Sequence, residues 1–344
     1  MSADARRSER VKLLEVQDLR VRFNSADGVV KAVDGMSFTV DKGQTLAIVG
    51  ESGSGKSVTC LSLMGLVRGA KVTGSATFEG RDLLKLHQTE LREVRGKKIA
   101  MIFQDPLSSL NPYYKVGWQI SEMILAHEKI SKKDARDRSI ELLKLVGIPR
   151  PDRRVDDYPH QFSGGMRQRA MIAMALSLDP AVLIADEPTT ALDVTVQAQI
   201  LDLLARLQDE LGAAIIMITH DLGVVAEIAD EVLVMYAGKP VEVGDRFTVF
   251  KQPHMPYTWG LLQSIPSVGE HTGERLTPIK GLPPSLIHLP SGCSFHPRCP
   301  YVFNQCLVEE PELLDWPRDG HLSACHLSLE DKQRIWQTEV APTR

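Results

Sequence analysis

Gly50-Glu51-Ser52-Gly53-Ser54-Gly55-Lys56-Ser57 runs glycine, four residues, then Gly-Lys-Ser, the spacing of a loop that wraps phosphate. Just upstream, Thr45-Leu46-Ala47-Ile48-Val49 is a short apolar run that predicts a buried strand. Downstream, Val58 to Met64 predicts a buried helix. A strand that feeds a glycine-rich turn and then a helix aims backbone N–H groups and the positive end of the helix dipole at one point. The glycines permit close backbone approach and positive φ, Lys56 can reach the outer phosphates, and the Ser57 hydroxyl can ligate Mg²⁺. The loop alone implies a nucleotide. It does not say what the nucleotide's energy drives.

Size and composition narrow the field. A chain of 344 residues has room for one large α/β domain and a smaller appendage. It is 43% hydrophobic and 24% charged, as ordinary globular proteins are. The net charge of -4 provides no basic field, so no nucleic-acid partner is expected. The longest apolar runs, such as Ala213 to Ile218, have the length of core strands, far short of the ~20 residues that span a bilayer. Arg6, Arg7 and Arg10 are not followed by the apolar segment of a secretion signal. The expectation is a cytoplasmic chain that reaches a membrane through partner proteins.

Residues 1–12 read as a charged, mobile leader. Strand patterns at Leu13–Phe23 and Ser37–Val40 precede the phosphate loop and predict a small antiparallel sheet beside the nucleotide. Phe23 on the first strand could stack on adenine or pack into the sheet. A short strand at Gly74–Phe78 is followed by a buried-strand run, Ile99–Phe103, that ends at Gln104-Asp105-Pro106. Residues 107–175 are mostly helical in pattern, with apolar spacing at Ile120–Ile124 and Ala135–Val146.

Three further strand or helix ends carry polar groups. Ser163-Gly164-Gly165-Met166 opens a helix, with Ser163 as its cap, which makes a second anion-accepting helix start. The buried-strand pattern Ala181–Ala185 ends in Asp186-Glu187, where phosphate-loop ATPases place a Mg²⁺ ligand and a water-activating base. Ala191-Leu192-Asp193 follows, and the strand Ala213–Ile218 delivers Thr219-His220-Asp221. Each feature alone could be a helix cap. Their order is what carries information.

Taken together, Gly50–Ser57, Gln104, Ser163–Gly165, Asp186-Glu187, Asp193 and His220 resemble the ATP-binding subunit of an ABC transporter over residues 13–245. The resemblance implies an α/β fold with a RecA-like sheet, an N-terminal antiparallel subdomain and a helical subdomain near 107–175. It makes Gly50–Ser57 the Walker A loop, Gln104 the Q-loop glutamine, and Ser163–Arg167 the signature motif. Asp186 becomes the Mg²⁺ ligand with Ser57 and Gln104, Glu187 the general base, Asp193 the D-loop acid, and His220 the switch histidine. The signature reads Phe-Ser-Gly-Gly-Met in place of the commoner Leu-Ser-Gly-Gly-Gln. In this family the signature completes a partner's site, and no second phosphate loop occurs in the 344 residues, so a second ATPase chain is implied.

Beyond the hairpin pattern Glu231–Val243 the composition shifts, and prolines recur through residues 246–344. His254–Pro266, Gly281–Pro284 and Gly292–Pro300 resemble the C-terminal extension of the dipeptide and oligopeptide uptake branch, with an extra Met255 between His254 and Pro256. That branch implies a second, non-identical ATPase subunit, two transmembrane permease subunits and an extracytoplasmic peptide-binding protein. Nickel and glutathione importers share the design. ABC ATPases of DNA repair and translation carry long coiled coils or two nucleotide domains, and neither is present. Cys293, Cys299, Cys306 and Cys325 are spaced C-x5-C-x6-C-x18-C. The spacing lacks the tight pairs of zinc sites, and a reducing compartment disfavours disulfides. A [4Fe–4S] cluster, zinc with help from His296, His321 or His326, and unligated thiols all stay open; the branch resemblance points to the cluster.

Overall fold

The computed structural model describes residues 11–190, 192–264, 278–315 and 320–343. Most of the expected leader, Ala191, and the Ile265-Pro266 end of the first extension segment lie outside the described residues. In chain order the strands are β1 (Lys12–Ser25), β2 (Gly28–Asp41), β3 (Thr45–Val49), β4 (Ala70–Phe78), β5 (Arg81–Asp82) and β6 (Ile99–Ile102). They continue with β7 (Val182–Asp186), β8 (Ala214–Thr219), β9 (Glu231–Tyr236), β10 (Lys239–Asp245), β11 (Leu314–Asp315) and β12 (Leu322–Ser323). Contacts gather the chain into two compact units. The first comprises Met1–Leu13, Val40–Gln44 and Lys85–Ile218, and the second Leu14–Thr39, Thr45–Leu84 and Thr219–Arg344.

The second unit carries the phosphate loop and two sheets. The antiparallel sheet expected ahead of the loop is present, in the order β2-β1-β4-β5. Its β1 buries Leu14 and Val16, then shifts phase at a bulge between Gln17 and Arg20 and buries Leu19 and Val21. A bulge is the local device that moves alternate side chains to the other face. The other sheet orders β11-β12-β10-β9-β3, with β3 and β9 parallel, and β9 and β10 joined as a hairpin. The hairpin turn uses positive φ at Ala237 and Gly238, the pair of values a two-residue turn needs to match strand twist.

Among the described residues of 246–344 the regular elements are short, and their large aromatics pack with the strands of this unit. Tyr257, Trp259, Phe295 and Trp336 are buried in the same cluster as Ala47 and Val49 of β3 and Val232 and Val234 of β9. The short strands β12 and β11 extend the sheet beyond β10, with Leu322 opposite Val243. The apolar payload lies in a few large aromatics spread among prolines, which periodicity cannot register but burial rewards.

The first unit holds three parallel strands, β6, β7 and β8, buried at every position. Parallel strands covered on both faces read as continuous apolar runs, as these do. Its helical part runs through Val116–His127, Lys132–Leu145, Pro151–Arg154 and Gly164–Ala175. Ser131 caps the second of these through Asp134 N–H. The helix Val194–Leu211 buries Ile200, Leu201, Leu203, Leu204 and Leu207 along one stripe.

The packing of the extension gives one test. Gly292 has φ +65°, and a Cβ there would meet the Cys306 carbonyl oxygen at 2.4 Å. Gly292→Ala should lower the free energy of unfolding by about 1–3 kcal/mol in urea titrations followed by tryptophan fluorescence. Gly43→Ala, also at positive φ but with nothing within 4 Å, should cost less. Equal losses for the two would contradict the close approach.

Candidate functional site

The phosphate loop has the geometry its glycines allow. Gly50, Gly53 and Gly55 adopt φ of +150°, +78° and +104°. At Gly50 a Cβ would meet the Met235 carbonyl oxygen at 2.2 Å, and at Gly55 the Ala32 carbonyl oxygen at 2.2 Å, so neither position accepts a side chain. The helix Lys56–Leu63 begins at Gly55 with no side-chain cap, whereas Ser163 and Asp193 cap the helices that follow them. Ser54 Oγ is buried without a hydrogen-bond partner. Lys56 is buried too, and its Nζ donates to the carbonyls of Gly50 and Glu51 at 2.7 and 2.9 Å, spanning the loop. Ser52 and Gly53 are exposed, while Ser57 is half-buried in the first turn of the helix. A glycine turn that opens a helix with no side-chain cap suits a polyphosphate.

Glu51 is the odd member: a carboxylate inside an anion-accepting loop. The Arg298 guanidinium grips it in a two-pronged bridge at 2.6 and 2.9 Å. Its backbone N–H donates to the Tyr257 hydroxyl at 2.8 Å. Arg298 also donates to the Lys280 carbonyl at 3.0 Å and lies over the Tyr236 ring, 5.8 Å from its centroid. Tyr236, Tyr257 and Phe295 pack with ring centroids 4.6–5.4 Å apart. Burial pushes the Tyr257 phenol far above its ordinary range, so its hydroxyl stays protonated.

In the first unit, β7 delivers Asp186, buried at the strand end, and then Glu187. Glu187 takes φ +45°, a left-handed conformation uncommon outside glycine and asparagine, and its N–H donates to the Ile218 carbonyl at 2.8 Å. One oxygen of its carboxylate accepts from Gln104 Nε2 at 2.9 Å and from Thr190 Oγ1 at 2.8 Å. Gln104 and Glu187, 83 positions apart, are thereby brought together. Asp193 caps the helix Val194–Leu211 through Val196 N–H at 3.0 Å. Ser163 caps the helix Gly164–Ala175 through Met166 N–H at 3.3 Å, and both Ser163 and Gly164 are exposed. Gly165 is fixed by packing: a Cβ there would meet Val196 Cγ1 at 2.8 Å.

In the second unit, His220 is exposed between Thr219 and Asp221. Asp221 N–H donates to the Thr219 hydroxyl, and the Asp221 carboxylate caps the next helix through Gly223 N–H. Phe23 is half-buried on β1 opposite Ala70.

The four extension cysteines, spread over the sequence, line one cavity of ≈ 20 Å³ together with His296 and His326. All are free thiols. Burial raises the thiols of Cys293, Cys299 and Cys325, that of Cys325 to about 11. Four thiols lining one cavity suit a thiolate-bound metal in donor type, and a cavity of this size holds no cluster until the side chains part. Among the described residues no three His, Cys, Asp or Glu side chains are placed to hold an ion. His321 is not part of the group: its Nε2 pairs with buried Glu242 at 2.8 Å, and its ring stacks on His254 at 4.0 Å. A histidine in a cysteine-rich tail is as readily a partner for a buried acid as a ligand.

Sequence reasoning missed Thr190, Tyr257 and Arg298. Thr190 follows Glu187 by three positions in a turn, a spacing that could have flagged it. Arg298 sits next to Cys299 and was passed over for the cysteine; nothing in local pattern links it to Glu51.

Residues 33–190 match the family model for ABC transporters, and residues 241–306 match the C-terminal region of oligopeptide/dipeptide transporters. The oligopeptide transport ATP-binding protein OppD of Bacillus subtilis is 54% identical over 97% of this chain and 94% of its own length. The dipeptide transport ATP-binding protein DppD of the same organism is 56% identical over 84% of this chain and 87% of its own. Among solved structures, a dimeric ATP-binding cassette bound to ADP and Pi matches with a TM-score of 0.62 and 26% identity, over 68% of this chain and 99% of that one. The cbiO1 protein from Clostridium perfringens, part of an ABC transporter complex, matches with a TM-score of 0.60 and 31% identity, over 70% of this chain and 92% of that one. With the phosphate loop, the Gln104–Glu187 pair and the extension all in place, the chain belongs to the ABC transporter ATP-binding family, in its oligopeptide and dipeptide branch.

Proposed function

We propose that the chain is the ATP-hydrolysing, energy-coupling subunit of a membrane importer for dipeptides or oligopeptides. The observation that carries this reading is the likeness along nearly the whole chain, extension included, to peptide-transport ATP-binding proteins. Gly50–Ser57 wraps the phosphates, Lys56 offsets their charge, and Phe23 stacks on the base. Ser57, Asp186 and Gln104 would hold Mg²⁺, which when bound neutralises charge on the outer phosphates. Glu187, steadied by Gln104 and Thr190, takes the proton of the attacking water. His220 and Gln104 sense the γ-phosphate. Ser163, Gly164, Gly165 and Met166, exposed or half-exposed here, complete the ATP site of a second ATPase subunit, and Asp193 serves the same pairing.

That second subunit is homologous and non-identical, so the working unit is a heterodimer seated on two transmembrane permease subunits. A peptide-binding protein feeds them from outside, and nucleic acid has no part. No helix among the described residues is long and apolar enough to cross a membrane, which fits peripheral attachment at the cytoplasmic face. Cys293, Cys299, Cys306 and Cys325 would hold a [4Fe–4S] cluster, a reading that rests on four free thiols around one cavity. When bound it supplies a cross-link between distant parts of the extension. It has no step in hydrolysis.

Glu187→Gln in the assembled transporter should retain ATP binding and lose ~10²–10⁴ of turnover, the worth of a general base. Lys56→Ala should lose binding itself. Steady-state ATPase beside nucleotide titration separates them, and near-normal turnover of Glu187→Gln would place the base elsewhere. Purified alone, the chain should hydrolyse ATP slowly and gain activity when its partner ATPase and permease subunits are co-expressed; a fully active homodimer on sizing would remove the heterodimer. Protein prepared without oxygen should be brown and carry about four irons per chain, and Cys299→Ser should bleach it. Stoichiometric zinc without iron would replace the cluster by a zinc site, and neither metal would remove both.

A further inference from the structure

Glu51 poses an electrostatic problem that the nucleotide assignment does not resolve. A carboxylate at the second position of the loop presents negative charge to an incoming polyphosphate, and like charges a few ångströms apart repel strongly outside bulk water. The loop is also rich in glycine, so it is costly to order. Both problems are answered by the extension. Arg298 pairs both carboxylate oxygens, a geometry only a guanidinium offers, and its side chain is 4% exposed. The Tyr257 hydroxyl takes the Glu51 N–H, fixing the backbone on the other side.

The guanidinium is itself held by the extension's backbone. It donates to the Lys280 carbonyl, and its residue ends the turn His296–Arg298, closed by Arg298 N–H to the Phe295 carbonyl at 3.0 Å. His296 N–H in turn donates to the Cys293 carbonyl at 3.0 Å. The loop that carries Cys293 and Cys299 thus sets where the Arg298 fork lies.

We propose that Arg298 and Tyr257 are positioning residues of the nucleotide site: by gripping Glu51 they present the phosphate loop ordered and with its own carboxylate neutralised, so ATP affinity depends on the extension. The inference rests on the nucleotide reading of Gly50–Ser57. It makes the extension a working part of ATP binding rather than a separate appendage.

The test is equilibrium titration of the full-length chain with a fluorescent ATP analogue and Mg²⁺, with circular dichroism to verify folding. Arg298→Ala should bind about tenfold more weakly, with the loss shrinking as salt rises, because the unmasked repulsion is screened. Adding Glu51→Gln to Arg298→Ala should recover part of the affinity, since the offending charge is gone. Arg298→Lys, which keeps charge but not the fork, should fall between parent and Arg298→Ala. Tyr257→Phe should weaken binding about threefold through loss of a single hydrogen-bond acceptor. Arg298→Ala within about twofold of the parent, or no recovery on adding Glu51→Gln, would overturn the proposal. If Arg298→Ala does not fold, the same two criteria are applied to Arg298→Lys alone and with Glu51→Gln. A parent chain that binds no ATP would instead sink the nucleotide reading.

Discussion

At Gly50 the backbone passes so close to β9 that a single methyl group would collide with the Met235 carbonyl, and at Gly55 the same holds against Ala32 of β2. The phosphate loop is therefore clamped by main chain on two sides, one from each sheet of its unit. Hydrogen bonds can rearrange around a substitution, whereas a carbonyl oxygen 2.2 Å from a carbon cannot be accommodated without moving a strand. The positions of Lys56, of the uncapped helix start and of buried Ser54 follow from this clamp.

Two glutamates show how one residue type serves opposite ends. Glu51 is met by a cation that cancels its charge, with bidentate geometry and little exposure. Glu187 accepts from an amide and a hydroxyl, which orient the carboxylate. A neutralised carboxylate is an anchor. A carboxylate held by neutral donors is aimed rather than anchored. The left-handed backbone at Glu187 is the kind of local strain that a surrounding fold imposes for the sake of direction.

The elements legible in the sequence are those whose signal is local. Thr45–Val49 and the β7 and β8 runs announced themselves because strands buried on both faces are apolar without interruption. Ser163 and Asp193 were legible because caps are short-range chemistry. The β1 bulge was not, since one inserted residue erases the alternation that would reveal it. Neither was the shared core of the extension, where Tyr257, Trp259, Phe295 and Trp336 come from segments without period. The convergence of four cysteines on one cavity could be guessed only from resemblance, and His321 was drawn toward them by composition when a buried acid, Glu242, is what it meets.

The bridge from Arg298 to Glu51 spans 247 positions of sequence, and this has a consequence for the birth of the protein. A ribosome adding about 5–20 residues per second needs roughly 12 to 50 seconds to travel from one partner to the other. Throughout that interval the Glu51 carboxylate waits for its partner. The last quarter of the chain must be made before the first quarter is finished. The bridge is therefore fastened late in synthesis, and a product that stops short of Arg298 lacks the loop's partner.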